Sequence, residues 1–430
     1  MLNKFYSSAV ILFLVACSSE QSKPEDKKME TVTLETSVAF YCLTESPEIG
    51  FFQDKLFTEG GFSGLHYIPG TDMEFFIVTD RGPNVSLENL SNIAEEQHIM
   101  FFPFPDYSQK IIRVQLVDST LRVLEVNPIK DFDKNPIHGL PVQRSLTEGK
   151  EQAWIDFKGT NSEMYPWSLD AEGITLGNDD DIWITDEYRT AIVQLNKSDF
   201  SMRNIYTPED NIEDDNVKKI NSEFLNRQPN RGFEAIALTP SGKIVAMLQS
   251  PIHDPLISDS IKTRLIRILE LDPKTGKTRI FGYEADINDD AKIGDMTAIN
   301  EHEFLVIEHG KDAMGKTAHI YKIDLEYATD ISQVHFNMGT SFEALLNNSK
   351  AQYRGMILAQ KTHVLDLIKA GFNTKFGKPE GLTIIDESRI AIVNDNDFGI
   401  NTPDATGAIQ FTNEPSCLYV FTFNQAIFKE

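Results

Sequence analysis

Cysteine is scarce, with three in a chain of 430 residues, too few to staple a small disulfide scaffold. Basic residues are also under-supplied. Lysine and arginine number 40 against 65 aspartates and glutamates, a formal charge of −25 at pH 7. Such a field repels polyanions, so nucleic acid is excluded as an expected partner and an anionic membrane surface holds no attraction. Glycine (25) and proline (19) stay near ordinary usage, which excludes collagen-like repeats and long Pro/Gly linkers. There is no phosphate-cradling loop, no dinucleotide glycine pattern and no zinc-type spacing of Cys and His. The nearest approach to a serine-hydrolase elbow, Gly61-Phe-Ser-Gly-Leu, has Leu65 where its last glycine belongs. What is present is ample apolar material, 41% of the chain, enough for a large core.

The first residues read as a targeting segment. Lys4 supplies a positive start, and Ala9 to Ala16 form an apolar run too short to span a bilayer. The run ends in Leu14-Val15-Ala16-Cys17, which resembles the lipobox of bacterial lipoproteins. That resemblance implies a signal peptide over 1–16, a lipid on Cys17 and, with Ser18 following, the outer membrane of the cell envelope. Membrane contact is then expected only through the anchor. Residues 17–30 are polar and read as a flexible tether, leaving 31–430 as one folded domain. Cys42 and Cys417 lie near opposite ends of that domain. They are expected as buried free thiols, since no dense framework demands a bridge, with a disulfide open if the fold joins the two ends.

No long amphipathic helical pattern dominates; short Ile, Val, Leu, Phe and Trp runs alternate with Gly, Asp and Asn turns. One block recurs. It starts on an acidic or small residue, runs through an apolar strand, a polar turn and a second strand, and ends in a polar cluster. The copies start at Ser63, Glu172, Glu234, Asp295 and Glu380 and end near Asp80, Asp186, Gln249, Glu308 and Asn394. Further strands follow most copies, as in Ile111–Leu116 with Leu121–Val126, Leu265–Leu271 and His319–Ile323. Four strands per copy predict an all-β chain, a β-propeller of five or six blades, with a sixth core open between 83 and 170. The segment 31–40 is expected to supply the last blade's missing strand. Apolar residues at helical spacing from Met356 to Ala370, ending at Gly371, predict one helical insertion.

A hairpin's first and last residues lie side by side, so each copy delivers two polar positions to one end of its blade. A ring of blades would gather them at one mouth of the channel. The expected metal ligands are Asp80, Glu172, Asp186, Glu234, Asp295, Glu308, Glu380, Asn394 and Asp395. So many carboxylates need protons, an arginine or a hard cation, and an all-oxygen set suits Ca²⁺, or Mg²⁺ or Mn²⁺, better than zinc. Glu172 and Glu234 are also the expected general bases. Arg81 would meet substrate charge, and His309 is the one histidine in a repeated polar position.

At these residues the chain resembles the "esterase-like activity of phytase" family. The blocks are Gly60-Gly-Phe-Ser-Gly-Leu with Thr79-Asp-Arg-Gly, Ala171-Glu-Gly-Ile-Thr with Trp183-Ile-Thr-Asp-Glu, Gly232-Phe-Glu-Ala-Ile-Ala, and Lys378-Pro-Glu-Gly-Leu with Asn394-Asp-Asn-Asp. The resemblance spans about residues 40–425 and implies a phosphoester or carboxylic-ester hydrolase, similar to calcium-dependent propeller phytases. The chain lacks the Asp-Ala-Asp-Asp-Pro-Ala block of those phytases, which argues against inositol-phosphate cleavage. The pattern is also similar to calcium-bound lactonase propellers. A small anionic ester is the expected substrate, and a lipid-tethered binding propeller with a structural metal is the alternative.

Overall fold

The computed structural model describes residues 35–428 except 88–98, 143–151, 157, 162–164, 179, 210–211, 254–262, 287–290, 335–341, 344–355 and 405–407. The expected signal peptide and tether lie outside the described residues. Residues 35–430 form one compact unit.

Five sheets of four or five strands carry the architecture among the described residues. The first blade runs through Phe62–Tyr67, Glu74–Thr79, Lys110–Val117 and Thr120–Pro128. The second comprises Ala171–Leu176, Asp181–Asp186, Ala191–Asn196 and Met202–Thr207, with Val217–Lys219 added in parallel. Phe233–Leu238, Ile244–Leu248, Leu265–Asp272 and Lys277–Glu284 form the third. The fourth is Lys292–Ala298, Glu303–Asp312, Gly315–Asp324 and Gln360–Asp366. In the fifth, Lys378–Asp386, Arg389–Asp395 and Cys417–Phe423 are completed by Thr36–Cys42 from the other end of the chain.

Each blade's first strand packs against the first strands of the blades before and after it, and the fifth meets the first, so the ring closes. Inner strands are buried on both faces and therefore read as apolar runs (Phe75–Val78, Ile182–Ile184, Ile244–Leu248) without strict alternation. Apolar contact between neighbouring blades makes up the core; one cluster runs from Trp183 through the third blade to Phe304 and Ile323.

Two expectations are sharpened and two change. The first blade's inner strand packs directly on the second's, and between 83 and 170 the described residues hold no four-stranded sheet beyond the first blade's own strands. That stretch instead holds a small three-stranded sheet (Val85–Ser86, Ile99–Phe101, Gln152–Trp154), which shares an apolar cluster with Phe57, Ile400 and Ile409. The helix expected at 356–370 is the strand Gln360–Asp366, paired with Gly315–Asp324. Leu365 and Leu367 are buried two residues apart, the period of a strand. The closing strand does come from the N-terminal end, as Thr36–Cys42, which takes in the second half of 31–40. Cys42 and Cys417 are not free thiols: they are register partners on the two ends of the chain and form a disulfide.

Candidate functional site

The inner hairpin of every blade carries a ladder slip at the same level. It lies between Phe62 and Gly64, Ala171 and Ile174, Phe233 and Ala235, Ile293 and Met296, and Pro379 and Leu382. A bulge leaves its extra residue unpaired and re-aims its side chain. The residues so released include Ser63, Glu172, Glu234 and Glu380, and all four line one polar cavity of about 110 Å³. Asp80, Asp170, Glu187, Asp395 and Asp397 line it too, with Arg81, Arg231, Lys292 and Lys378 as its cations.

Carboxylate oxygens of Glu172, Glu234 and Glu380 lie within 4.8 Å of one another, as do those of Asp80, Asp170 and Glu172. Two triads thus share Glu172. Around them sit buried polar atoms without a hydrogen-bond partner among the described residues: Ser63 Oγ, Gln249 Oε1, Glu187 Oε1 and both oxygens of Asp170. Asp170 Oδ2 does lie 3.3 Å from Arg81 Nη1 as an ion pair, and Gln249 Nε2 donates to Glu234 at 2.7 Å. Lys378 and Arg231 stand 3.5 Å from Glu380 and 3.8 Å from Glu187; the remaining unsatisfied buried oxygens are costly, and an all-oxygen set of this kind fits a hard cation.

Crowding shows in the protonation equilibria. Burial, then Glu234, Asp170 and Asp80, pushes Glu172 well above the ordinary carboxyl range. Burial and the neighbours Glu187 and Glu380 do the same to Glu234, and burial with nearby Asp80 and Glu187 outweighs Arg81 at Asp170. Burial lifts Glu187 to about 7 against the pull of Arg231 and Arg81. It lifts Glu380 to about 6 against Lys378. Lys378, 2.6 Å from Asp395 and 3.2 Å from Asp397, offsets the burial of Asp397 and holds that carboxyl low.

The structure sorts the expected residues. Asp80, Arg81, Glu172, Glu234, Glu380 and Asp395 come together on the cavity. Asp295 does not. In the fourth blade Ile293 pairs with Glu308 as Ala171 pairs with Asp186, so Gly294 takes the place of Glu172 and Asp295 is shifted by one. Its buried carboxylate accepts N–H groups of Met296 and Leu382, both at 2.7 Å, and further backbone bonds from Ile236 and Leu65. One side chain therefore ties the inner strands of four blades. Asp186 is likewise engaged by the N–H groups of Asp170, Tyr188 and Arg189. Glu308 accepts from Tyr283 Oη, Asp286 N–H and Lys361. Asn394 accepts Cys417 N–H and donates to Pro415 and Phe376 carbonyls. None of these three lines the cavity. His309 is buried, pairs in register with Lys292, and is pushed down to about 3 by burial and surrounding cations.

Sequence reasoning missed Asp170, Asp397 as a wall residue, Arg231, Lys292 and Lys378. Asp170 stands two residues before Glu172 and bonds through its N–H to the end of the same hairpin at Asp186. Its signal was a second acid at the strand's start.

The sequence profile of a phytase-like family, described as esterase-like activity of phytase, matches residues 58–398. No curated protein matches the chain by sequence. Among solved structures, virginiamycin B lyase from Staphylococcus aureus is similar at 10% identity and TM-score 0.31, over 90% of this chain and 99% of that one. A luciferin-regenerating enzyme is similar at 8% identity and TM-score 0.37, over 91% and 97%. The PQQ-bound aldose sugar dehydrogenase of Streptomyces coelicolor is similar at 10% identity and TM-score 0.32, over 90% and 98%. Resemblance this distant lends nothing to the chemistry.

Proposed function

The chain belongs to the phytase-like family, and from that premise we propose that it is a metal-dependent ester hydrolase working at the channel cavity. The observation that carries this reading is the shared pair of carboxylate triads, Asp80–Asp170–Glu172 and Glu172–Glu234–Glu380, ringed by unsatisfied buried oxygens. Ca²⁺ is the favoured ion, with Mg²⁺ or Mn²⁺ as substitutes, because all donors are hard oxygens. Such an ion, when bound, polarises an ester oxygen and lowers the pKa of an attached water.

The protein's own residues divide the remaining work. Either triad, Asp80–Asp170–Glu172 or Glu172–Glu234–Glu380, would hold an ion, with Glu172 common to both. Glu187 lines the cavity outside both triads, and its proton equilibrium near 7 suits it to accept a proton from an attacking water. Arg231, whose side chain is 30% accessible, and Lys292 face an incoming anion. Arg81 is held in place by Tyr188 Oη at 3.2 Å and Asn230 Oδ1 at 2.9 Å, which orients its guanidinium on the wall. The substrate is a small anionic ester, of a phosphoric or a carboxylic acid.

We place the protein in the cell envelope, anchored through Cys17. The Cys42–Cys417 disulfide supports export, since such bonds persist in oxidising compartments. Cys17→Ser should move the protein from the membrane to the soluble fraction; unchanged fractionation would contradict the anchor.

The test of the activity is thermal melting of residues 31–430 in EDTA, Ca²⁺, Mg²⁺ and Mn²⁺, alongside hydrolysis of p-nitrophenyl phosphate and p-nitrophenyl acetate. Metal-linked melting with metal-linked turnover is expected, and the substrate that turns over names the ester class. Melting that ignores EDTA and calcium would remove the metal from the cavity and the hydrolase reading with it.

A further inference from the structure

Away from the carboxylate cavity, two imidazoles meet on the outer strands of the fourth blade. His319 lies on Gly315–Asp324 and His363 on Gln360–Asp366. A slip in this ladder between Ile320 and Tyr321 pairs His319 with Asp366 and Tyr321 with His363. His363 Nε2 thereby comes within 3.2 Å of His319 Nδ1, and the ring centroids stand 5.2 Å apart at 66°. Two imidazole nitrogens on one tetrahedral zinc, each at about 2.0–2.1 Å, are separated by about 3.3–3.4 Å. In a square-planar shell at similar bond lengths they are about 2.9 Å apart. The observed spacing falls between these.

The same spacing also suits an N–H···N bond in one tautomer, so the surroundings decide what the pair can take up. His363 is exposed and His319 half-buried, so a hydrated ion can reach both rings. Burial, then His319, holds His363 below its usual range, which leaves that imidazole neutral with a lone pair to give near pH 7. The neighbouring charges balance, Asp286 being met by Lys361 Nζ at 3.1 Å, so the two ring nitrogens carry the site. Asp366 and Asp286 both act on His363, opposed by Lys369. Asp366 is already met by Lys369 Nζ at 2.8 Å, and water would complete the coordination shell. The ring of Tyr321 closes one side, 5.4 Å from that of His363.

We propose that His319 and His363 form a chelating site for a borderline transition-metal dication of the Zn²⁺, Cu²⁺ or Ni²⁺ class, separate from the hard-cation cavity. The ion would clip the blade's outermost strand to its neighbour. That strand is held at its start by Lys361, which reaches Glu308 at 2.7 Å and Asp286 at 3.1 Å. The site does not rest on the hydrolase reading.

The experiment uses the full chain without a polyhistidine tag, in excess Ca²⁺ so that the carboxylate cavity is occupied. Zn²⁺ is titrated calorimetrically, and Cu²⁺ is followed by electron paramagnetic resonance. One equivalent of each ion and nitrogen hyperfine structure from two imidazoles are expected. His363→Ala, at an exposed position, should weaken binding at least tenfold and remove one nitrogen from the spectrum. His319→Ala should do the same while its EDTA melting curve reports whether the fold is intact. No binding in the wild type, or equal affinity and an unchanged spectrum in His363→Ala, would overturn the site.

Discussion

Asp295 and Glu234 look interchangeable as acids opening a repeated hairpin, yet one faces backbone and the other faces other carboxylates. Asp295 gathers N–H groups from Met296, Leu382, Ile236 and Leu65. Removing it strands several buried donors, each costing about 1–3 kcal/mol when left unsatisfied. Asp295→Ala should therefore cost about 3–5 kcal/mol in urea unfolding, the scale of a broken buried network. Glu234→Gln keeps the shape and an acceptor for Gln249 while removing a carboxyl that can ionise onto a cation. Its metal-free stability should stay within about 1 kcal/mol of wild type, and the melting rise with calcium should disappear. A calcium response that survives in Glu234→Gln would take Glu234 out of the ligand set. The crowded acids also fix a pH dependence. Glu187 and Glu380 rise from 4.5 to about 7 and about 6 in the folded state. The folded protein then holds protons that the unfolded chain releases, so their contribution is present at low pH and lost as pH climbs through 6–7. His66 and His309, lowered from 6.5 to about 4 and about 3, act oppositely and lose stability as pH falls below 6.5. Between pH 8 and about 7, where the histidines are still mostly neutral in the unfolded chain, the carboxylates dominate and metal-free melting should rise as pH falls. Calcium affinity should weaken over the same interval, because ligands must be deprotonated. Melting in EDTA across that range checks the sign, and a fall toward about pH 7 would contradict it.

At the scale of the element, the bulge is what turns a row of hairpins into a site. Without the extra residue, Glu172, Glu234 and Glu380 would keep ladder register, and successive side chains would alternate between the faces of the sheet. The bulges also set how closely blades approach. A Cβ on Gly381 would stand 2.6 Å from Leu65 N and 2.7 Å from Gly64 C, whereas one on Gly276 meets nothing within 4 Å. Gly381→Ala should cost about 1–3 kcal/mol through overpacking. Gly276→Ala, at φ +70, should lose only the left-handed backbone preference of about 1 kcal/mol. Equal losses in urea unfolding would mean the inner strands can part without strain. This is also where sequence reading stopped. Apolar runs bounded by turns located the strands, and acids at their ends located five of the cavity's eight carboxylates. A one-residue slip leaves no compositional trace, so Gly294 and Asp295 could not be told apart from Glu172 and Gly173. The run from Val364 to Ile368 satisfies helical and strand spacing alike, and only pairing with Gly315–Asp324 decides between them.

For the whole molecule the decisive contact joins the two ends of the chain. A ring of blades has one seam, and here Thr36–Cys42 lies antiparallel to Cys417–Phe423 with Cys42 opposite Cys417. Composition argued for free thiols because three cysteines make no framework. The pairing follows from register, which only closure of the ring creates. The disulfide spans 375 residues, so in the unfolded chain it removes the freedom of nearly the whole polymer, while in the folded state it fastens strands already paired. Stabilisation by such a bond is typically about 2–4 kcal/mol and grows slowly with loop length. The double variant Cys42→Ser with Cys417→Ser should therefore unfold in urea with about that loss. The effect should also reach the cavity. Cys417 N–H is held by Asn394 at 2.7 Å, and the next residue, Asp395, lines the cavity beside Lys378. A loosened seam would let this wall move, so calcium should bind more weakly to the double variant than to wild type. Calorimetric titration of calcium at a temperature where both proteins are folded separates this from unfolding. Equal affinity together with an unchanged urea midpoint would show that strand pairing alone closes the ring and that the disulfide contributes nothing to it.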